Sequence, residues 1–257
     1  MELSHEKLVK ITSQLIYWIK KMIVKTGGNK AVIGISGGKD SSIVAALCVE
    51  ALGKENVFGV LMPNGIQKDI SYAHEICEHL MIKKIIAPIK SMVELYHHIL
   101  SAIDKEIINE ISNQTKLNLP PRVRMTLLYA IAQSIDSSRV INTSNLSEDW
   151  VGYATINGDT AGAFAPIGLF TTDEVIQIGR YLKIPEKFII KPPEDGLTGK
   201  TDEDVLGFSY NTLNKYIRDG KIDDPVAKNK IDKLHRESRF KFSPIAMFNA
   251  DLPINLN

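Results

Sequence analysis

Apolar residues recur at three- and four-residue spacing near the start of the chain, at Leu8, Ile11, Leu15, Trp18, Ile19 and Met22, with lysines and glutamates between them. This is the stripe of an amphipathic helix within residues 1–30. The charges break every apolar run well short of the roughly 20 residues that cross a bilayer. The pattern then changes character. Short apolar or β-branched runs at 31–35, 57–61 and 84–88 alternate with longer helical periodicities at 40–52 and 69–80. Parallel strands joined by helical crossovers read this way, because a strand covered on both faces shows no polar side. Gly53 stops the first crossover helix. Further on, 91–111 predicts a helix, and 112–121 a polar loop closed by Pro120 and Pro121. A helix over 122–135 and a last central strand over 140–143 follow.

Two stretches lack clear periodicity. Residues 152–168 are rich in Gly, Ala and Thr, and 191–202 carry two prolines and two glycines. Both are expected to be loops that cover a substrate. Around them, 172–182, 210–218 and 224–236 predict helices.

Composition narrows the class of partner. With 257 residues, 44% of them apolar, the chain suits one α/β domain spanning 1–257 with an ample core. Lys and Arg (31) nearly cancel Asp and Glu (30), so there is no basic field of the kind that nucleic acid requires. Cys48 and Cys77 lie far apart in helical patterns and form neither a disulfide framework nor a C-x-x-C pair, which points to a reducing, cytoplasmic setting. Both read as core residues rather than nucleophiles. His97 and His98 are adjacent on a helix and point different ways, so they make no metal pair.

The chemistry concentrates in Gly34, Ile35, Ser36, Gly37, Gly38, Lys39, Asp40 and Ser41, which follow the first strand and open the first crossover helix. A glycine pair there lets several N–H groups and a helix N-terminus converge on an anion such as pyrophosphate. Ser36 and Ser41 add hydroxyl donors and Lys39 adds charge, while Asp40 places a carboxylate where a magnesium ion bridging phosphates is held. The segment lacks the G-x-x-x-x-G-K-[ST] order of a Walker A loop, since Asp40 follows Lys39. It also lacks the G-x-G-x-x-G of a dinucleotide fingerprint. A plain turn explains the glycines but not the Ser, Lys, Asp and Ser around them.

Ser-Gly-Gly-x-Asp-Ser after a first strand resembles the pyrophosphatase loop of the N-type ATP pyrophosphatases, which serves several synthetases. Later segments narrow the likeness: Arg122-Val-Arg-Met-Thr126, Asn142-Thr-Ser-Asn-Leu-Ser-Glu148, Val151-Gly-Tyr-Ala-Thr155, Gly158-Asp159 and Gly199-Lys-Thr-Asp-Glu-Asp-Val-Leu-Gly207. Together they are similar to the ammonia-dependent NAD synthetases over residues 10–248. The resemblance implies an adenine-nucleotide α-hydrolase-like three-layer α/β fold with a central parallel sheet, a homodimer, and no glutaminase domain. It implies that deamido-NAD is adenylated by ATP with Mg²⁺ present and then attacked by ammonia, giving NAD, AMP and pyrophosphate.

By the same resemblance Ser36, Asp40 and Ser41 are catalytic, Asp40 and Glu148 hold the metal, and Thr143 joins the loop in binding ATP. Arg122, Asp159 and Lys241 fall to the acceptor. The rule that ligands bind at the switch point of an α/β sheet places adenine near Ile35, Leu61 and Met62, with core packing an equal reading of those residues.

Several positions depart from the family. Ile156 and Ala163 stand where a lysine and an aspartate contact deamido-NAD. Thr172 replaces an ATP-binding lysine, Glu194 follows Pro193 where a hydroxyl residue is usual, and Phe240-Lys241 replaces His-Lys. These changes keep a second reading open, a paralogous amide synthetase acting on a different carboxylate, and a third, a non-catalytic nucleotide-binding protein.

Overall fold

A computed structural model describes residues 2–67, 69–190 and 202–249. Four strands, β1 (Lys30–Gly34), β2 (Val57–Leu61), β3 (Lys83–Ile86) and β4 (Ser138–Val140), form one sheet in the order β3-β2-β1-β4. All three pairings are parallel, and Val32 of β1 lies opposite Phe58 of β2 on one side and Val140 of β4 on the other. Alternate residues of these strands enter different cores, as the two-residue period of a strand demands. Ala31, Ile33, Val57 and Leu61 pack with α1 (His5–Lys25), α2 (Lys39–Leu52), α3 (Ile70–His79) and α7 (Thr172–Tyr181). Val32, Phe58, Val60 and Val140 pack on the opposite face with α4 (Lys90–Ser101) and α5 (Asn113–Ser134). The result is the three-layer α/β architecture with a central parallel sheet. Gly59 permits the close approach of α3, since a Cβ there would stand 2.8 Å from Cys77 Sγ.

Both cysteines are buried in this core with free thiols. Burial raises Cys48 to about 12 and, against partial relief from Lys84, Cys77 to about 11, so neither supplies a thiolate.

The region between β3 and β4 differs from the sequence expectation. The helix expected over 91–111 ends at Ser101, and the next helix begins at Asn113 and runs through both Pro120 and Pro121, where a loop was expected. Ser112 caps its start, its hydroxyl accepting from Thr115 N at 3.1 Å. Two carbonyls lose their helical donors at the prolines. The turn is pinned from outside, for Pro120 is buried and Asn118 Oδ1 accepts from Thr155 Oγ1 at 2.8 Å. Tertiary contacts thus override a local breaker.

β4 is shorter and earlier than the strand expected over 140–143. Ile141 N still donates to Val32 O at 3.0 Å, but Asn142 N turns to Phe164 O. Backbone from the 152–168 stretch adds to this edge, Ala163 N donating to Val140 O at 2.8 Å, so that stretch is partly a sheet-edge support rather than wholly a cover. Short helices α6 (Leu146–Trp150) and α8 (Glu186–Ile189) lie below the length at which periodicity shows.

A smaller core of Val151, Leu206, Phe208, Leu213 and Ile231 joins α6 to α9 (Asp202–Leu206), α10 (Tyr210–Asp219) and α11 (Pro225–Ser238). Glu174, on α7 and nearly inaccessible, pairs with Arg218 of α10 through contacts of 2.8 and 2.5 Å. Burial pushes its carboxyl up, and the hydrogen bonds from Arg218 and Thr171 more than reverse that, leaving it below the usual range. No helix among the described residues is long and apolar enough to cross a membrane.

Candidate active site

In the order β3-β2-β1-β4 the chain runs outward from β1 in both directions, so the switch point lies between β1 and β4, not between β1 and β2. A crevice opens there beyond the carboxyl ends of the strands. On one side β1 leads into the glycine loop. Gly37 has φ +81°, and a Cβ on it would come within 2.7 Å of Ala73 N, so both conformation and space require glycine. Serine hydroxyls hold the loop's shape: Gly38 N donates to Ser36 Oγ at 3.2 Å, Ser36 Oγ lies 3.1 Å from Ser41 Oγ, and Ser42 Oγ donates to Gly38 O at 2.7 Å. Gly38 is the N-cap of α2 and offers no side-chain acceptor, which suits the helix terminus to an anion.

On the other side β4 leads to α6. Asn145 is fully buried and caps α6, its Oδ1 accepting from Ser147 N at 3.0 Å and Glu148 N at 3.1 Å. Its Nδ2 donates across the crevice to Asp40 Oδ1 at 3.3 Å. One amide therefore fixes Glu148 and Asp40 relative to each other. Lys39, buried like Asn145, reaches both acids: Nζ is 2.9 Å from Asp40 Oδ2 and 3.8 Å from Glu148 Oε1.

Ser36, Asp40, Ser41, Thr143, Glu148 and Asp159 are brought together around a cavity of about 270 Å³, where Tyr153 joins them. A second cavity of about 420 Å³ is lined by Asn142, Asp149, Phe164 and Lys241. Asn142 Nδ2 donates to Asp159 O at 2.7 Å, linking the walls of the two.

Burial moves three ionisable groups here away from their ordinary values. Asp159 opens to the first cavity, but the protein mass around it raises its carboxyl despite the 2.5 Å hydrogen bond from Thr155 N and the charges of Lys241 and Arg124. Asp149 is raised to about 7, by burial first and Asp159 second, against the pull of Arg239. Lys241 is lowered, burial outweighing the attraction of Asp159; its Nζ donates to Gly152 O at 2.7 Å and Ala154 O at 2.9 Å.

Three expected site residues lie elsewhere. Ile35 and Leu61 are buried in the core, and Leu61 O accepts from Ala87 N, so their side chains serve packing. Arg122 is exposed, and its Nε donates to Ile156 O at 3.1 Å rather than entering either cavity. Glu194, and the Gly199-to-Thr201 part of the later motif, fall outside the described residues.

Sequence reasoning missed Asn145, Tyr153 and Arg124. Asn145 carried a readable signal, a capping residue three positions before Glu148. Arg124 carried none of its own; it is half-buried, donates from Nε to Met62 O at 3.1 Å and faces the charge of Asp159.

The two carboxylates that meet at Lys39 also suit a hard divalent cation. Among the described residues no group of three or more His, Cys, Asp or Glu is arranged for a metal, and Mg²⁺ characteristically takes one or two carboxylates and completes its shell with phosphates and water.

The NAD synthase family pattern matches residues 11–244. The NH(3)-dependent NAD(+) synthetase of Methanocaldococcus jannaschii is 36% identical over 229 residues, covering 87% of this chain and 86% of that one. Among solved structures, an NMN synthetase from Francisella tularensis superposes with a TM-score of 0.84 at 29% identity, over 96% of this chain and 100% of the other. The NH3-dependent NAD synthetase of Campylobacter jejuni gives 0.74 at 30% identity, over 94% and 99%.

Proposed function

We infer the reaction from one premise: the chain belongs to the NAD synthase family. It is a ligase that amidates deamido-NAD with ammonia at the expense of ATP, giving NAD, AMP and pyrophosphate. The observation that carries this is the meeting of the glycine loop with Thr143 and Glu148 at the β1/β4 switch point.

The nicotinate carboxylate attacks the α-phosphorus of ATP, and the bond from that phosphorus to the bridging oxygen breaks as pyrophosphate leaves. Charge accumulates on the leaving group, where the α2 N-terminus, Ser36 and Ser41 stabilise it. Mg²⁺, held by Asp40 and Glu148, supplies further neutralisation of the phosphates when bound. Ammonia then attacks the acyl carbon of the mixed anhydride, AMP departs, and the nitrogen loses a proton. Asp159 lines the same cavity as Thr143, and Lys241 helps hold the neighbouring wall through the carbonyls of Gly152 and Ala154.

A homodimer fits the apolar surface left on α4 and α5, where Leu95, Tyr96, Ile99, Leu117 and Tyr129 are exposed; light scattering tests it. Two buried free thiols agree with a cytoplasmic setting.

A second reading concerns the acceptor alone. The NMN synthetase structure superposes with the higher TM-score, 0.84 against 0.74 for the Campylobacter enzyme, at nearly equal identity (29% and 30%), and charged residues are missing at Ile156 and Ala163. Ala163 is partly buried and packs against the main core. Nicotinate mononucleotide, the smaller carboxylate, would need fewer such contacts. Purified protein assayed with ATP, Mg²⁺ and ammonium separates the readings. Higher kcat/KM with deamido-NAD supports the first, higher kcat/KM with the mononucleotide supports the second, and AMP formation with neither overturns both.

A further inference from the structure

Lys39 is the first residue of α2, its side chain is 8% exposed, and it stands between the two acids to which the metal role falls. Its ammonium is 2.9 Å from Asp40 Oδ2 and 3.8 Å from Glu148 Oε1, while the other oxygen of Asp40 accepts from Asn145. The single ammonium thereby offsets part of the negative charge that the two carboxylates share. Two anions left together in a partly buried crevice would repel one another and lose hydration that nothing replaced.

A lysine in that position and a divalent cation compete for the same oxygens. Mg²⁺ ligands sit at 2.0–2.1 Å, and an ammonium hydrogen-bonded to those oxygens adds a like charge about 3 Å further out. Lysine, unlike arginine, is a compact charge on a flexible four-carbon stem with three rotatable donors, so it can leave one anionic partner for another. The adjacent partner in the loaded enzyme is the phosphate chain, held at the loop from which Lys39 itself springs.

We propose that Lys39 is a displaceable counter-ion: it occupies the Asp40–Glu148 pair before substrate arrives, excludes the metal from the nucleotide-free protein, and moves onto the pyrophosphate moiety when metal and ATP enter together. This rests on the assignment of Asp40 and Glu148 as metal ligands. The consequence is ordered loading. Metal binds weakly to the free protein and well once phosphates give the lysine another partner.

Mn²⁺ binding, followed by its EPR signal in the full chain, tests this without measuring turnover. Wild-type protein is expected to bind Mn²⁺ weakly alone and tightly with inorganic pyrophosphate. Lys39→Met is expected to bind Mn²⁺ alone about tenfold more tightly than wild type, and pyrophosphate more weakly. Unchanged or weaker Mn²⁺ affinity in Lys39→Met, with Mn²⁺ still recruited to wild type by pyrophosphate, overturns the inference and leaves the metal ligands standing. Failure of Mn²⁺ to bind wild type even with pyrophosphate removes both. Acetic anhydride labelling of unmodified protein, read at Lys39 by mass spectrometry, decides the matter should Lys39→Met not fold. Saturating Mn²⁺ alone is expected to raise Lys39 reactivity and Mn²⁺ with pyrophosphate to lower it again; reactivity indifferent to both overturns the displacement.

Discussion

Ser36 comes from the turn after β1 and Asp40 and Ser41 from the first turn of α2, all within six residues, whereas Arg124, Asp159 and Lys241 are spread over residues 124–241 and meet only in the folded chain. The first group rests on the best-buried part of the molecule. Ile33, Ile43 and Leu47 are completely inaccessible beneath it. The second group hangs from backbone: Lys241 from the carbonyls of Gly152 and Ala154, Arg124 from the carbonyl of Met62, Asp159 from the amide of Thr155. Phosphate chemistry needs convergent N–H groups at one fixed place, which a strand, a glycine turn and a helix supply together. Acceptor recognition needs only a wall of suitable shape and charge, and a wall built on loops can change without disturbing the strand that carries the phosphates.

The sharpest way to break this contrast is to strike the first half. Asp40→Asn keeps the hydrogen bond from Asn145 within reach but removes the charge shared by Lys39 and the metal. It is expected to lower kcat by about 10²–10³-fold, as loss of a preorganised charge-stabilising group does elsewhere, with the melting curve little changed. A variant that kept most of its activity would separate the loop from the chemistry.

Stability, not activity, depends on the clamp behind the site. Arg218→Ala leaves the buried Glu174 without its counter-charge, with Thr171 N still donating to it, and should cost about 3–5 kcal/mol in denaturant unfolding. A loss below 1 kcal/mol, of the size exposed pairs show, would mean that α10 does not clamp the start of α7. Gly37→Ala should cost about 1–3 kcal/mol through its positive φ and weaken pyrophosphate binding as Ala73 is pushed aside.

Smaller effects belong to the acceptor half. Lys241→Met is expected to raise KM for the carboxylate substrate about tenfold while leaving KM for ATP within about twofold, a split of roughly 1.4 kcal/mol. Equal shifts in both would erase the division between the halves. Asp149 gives a test by pH. Its folded value is about 7 against an ordinary 3.8, so between those values the folded protein holds a proton that the unfolded chain has lost. Stability therefore falls as pH rises from about 4 to about 7 and is level above, by about 2 kcal/mol in all once screening is allowed for. Asp149→Asn removes that slope and is the more stable protein above pH 7; an unchanged slope would place the titration elsewhere.

The same contrast explains what the sequence could disclose. Gly34 to Ser41 is contiguous, so its spacing alone announced an anion loop after a strand, and the alternation of 31–35, 57–61 and 84–88 with helices announced the parallel sheet. The order of the strands was not legible, because the hydrophobic pattern of β4 does not say on which side of β1 it pairs, and the switch point lies at β1/β4 rather than at β1/β2. Pro120 and Pro121 read as a loop because the contact that pins this turn, from Thr155 to Asn118, spans 37 residues. Arg122 and Arg124 are two residues apart and alike in sequence. Only the turn of α5 decides that Arg124 is half-buried and faces the charge of Asp159 while Arg122 stays exposed.

The central claim is that this crevice activates a carboxylate by joining it to the α-phosphate of ATP. Deamido-NAD carrying ¹⁸O in its carboxylate, turned over with ATP, Mg²⁺ and ammonium, tests it directly by mass spectrometry of the AMP formed. Transfer of one ¹⁸O atom into AMP is the predicted result. Amide product accompanied by unlabelled AMP, with the label lost to water or carried on another phosphate product, would contradict it.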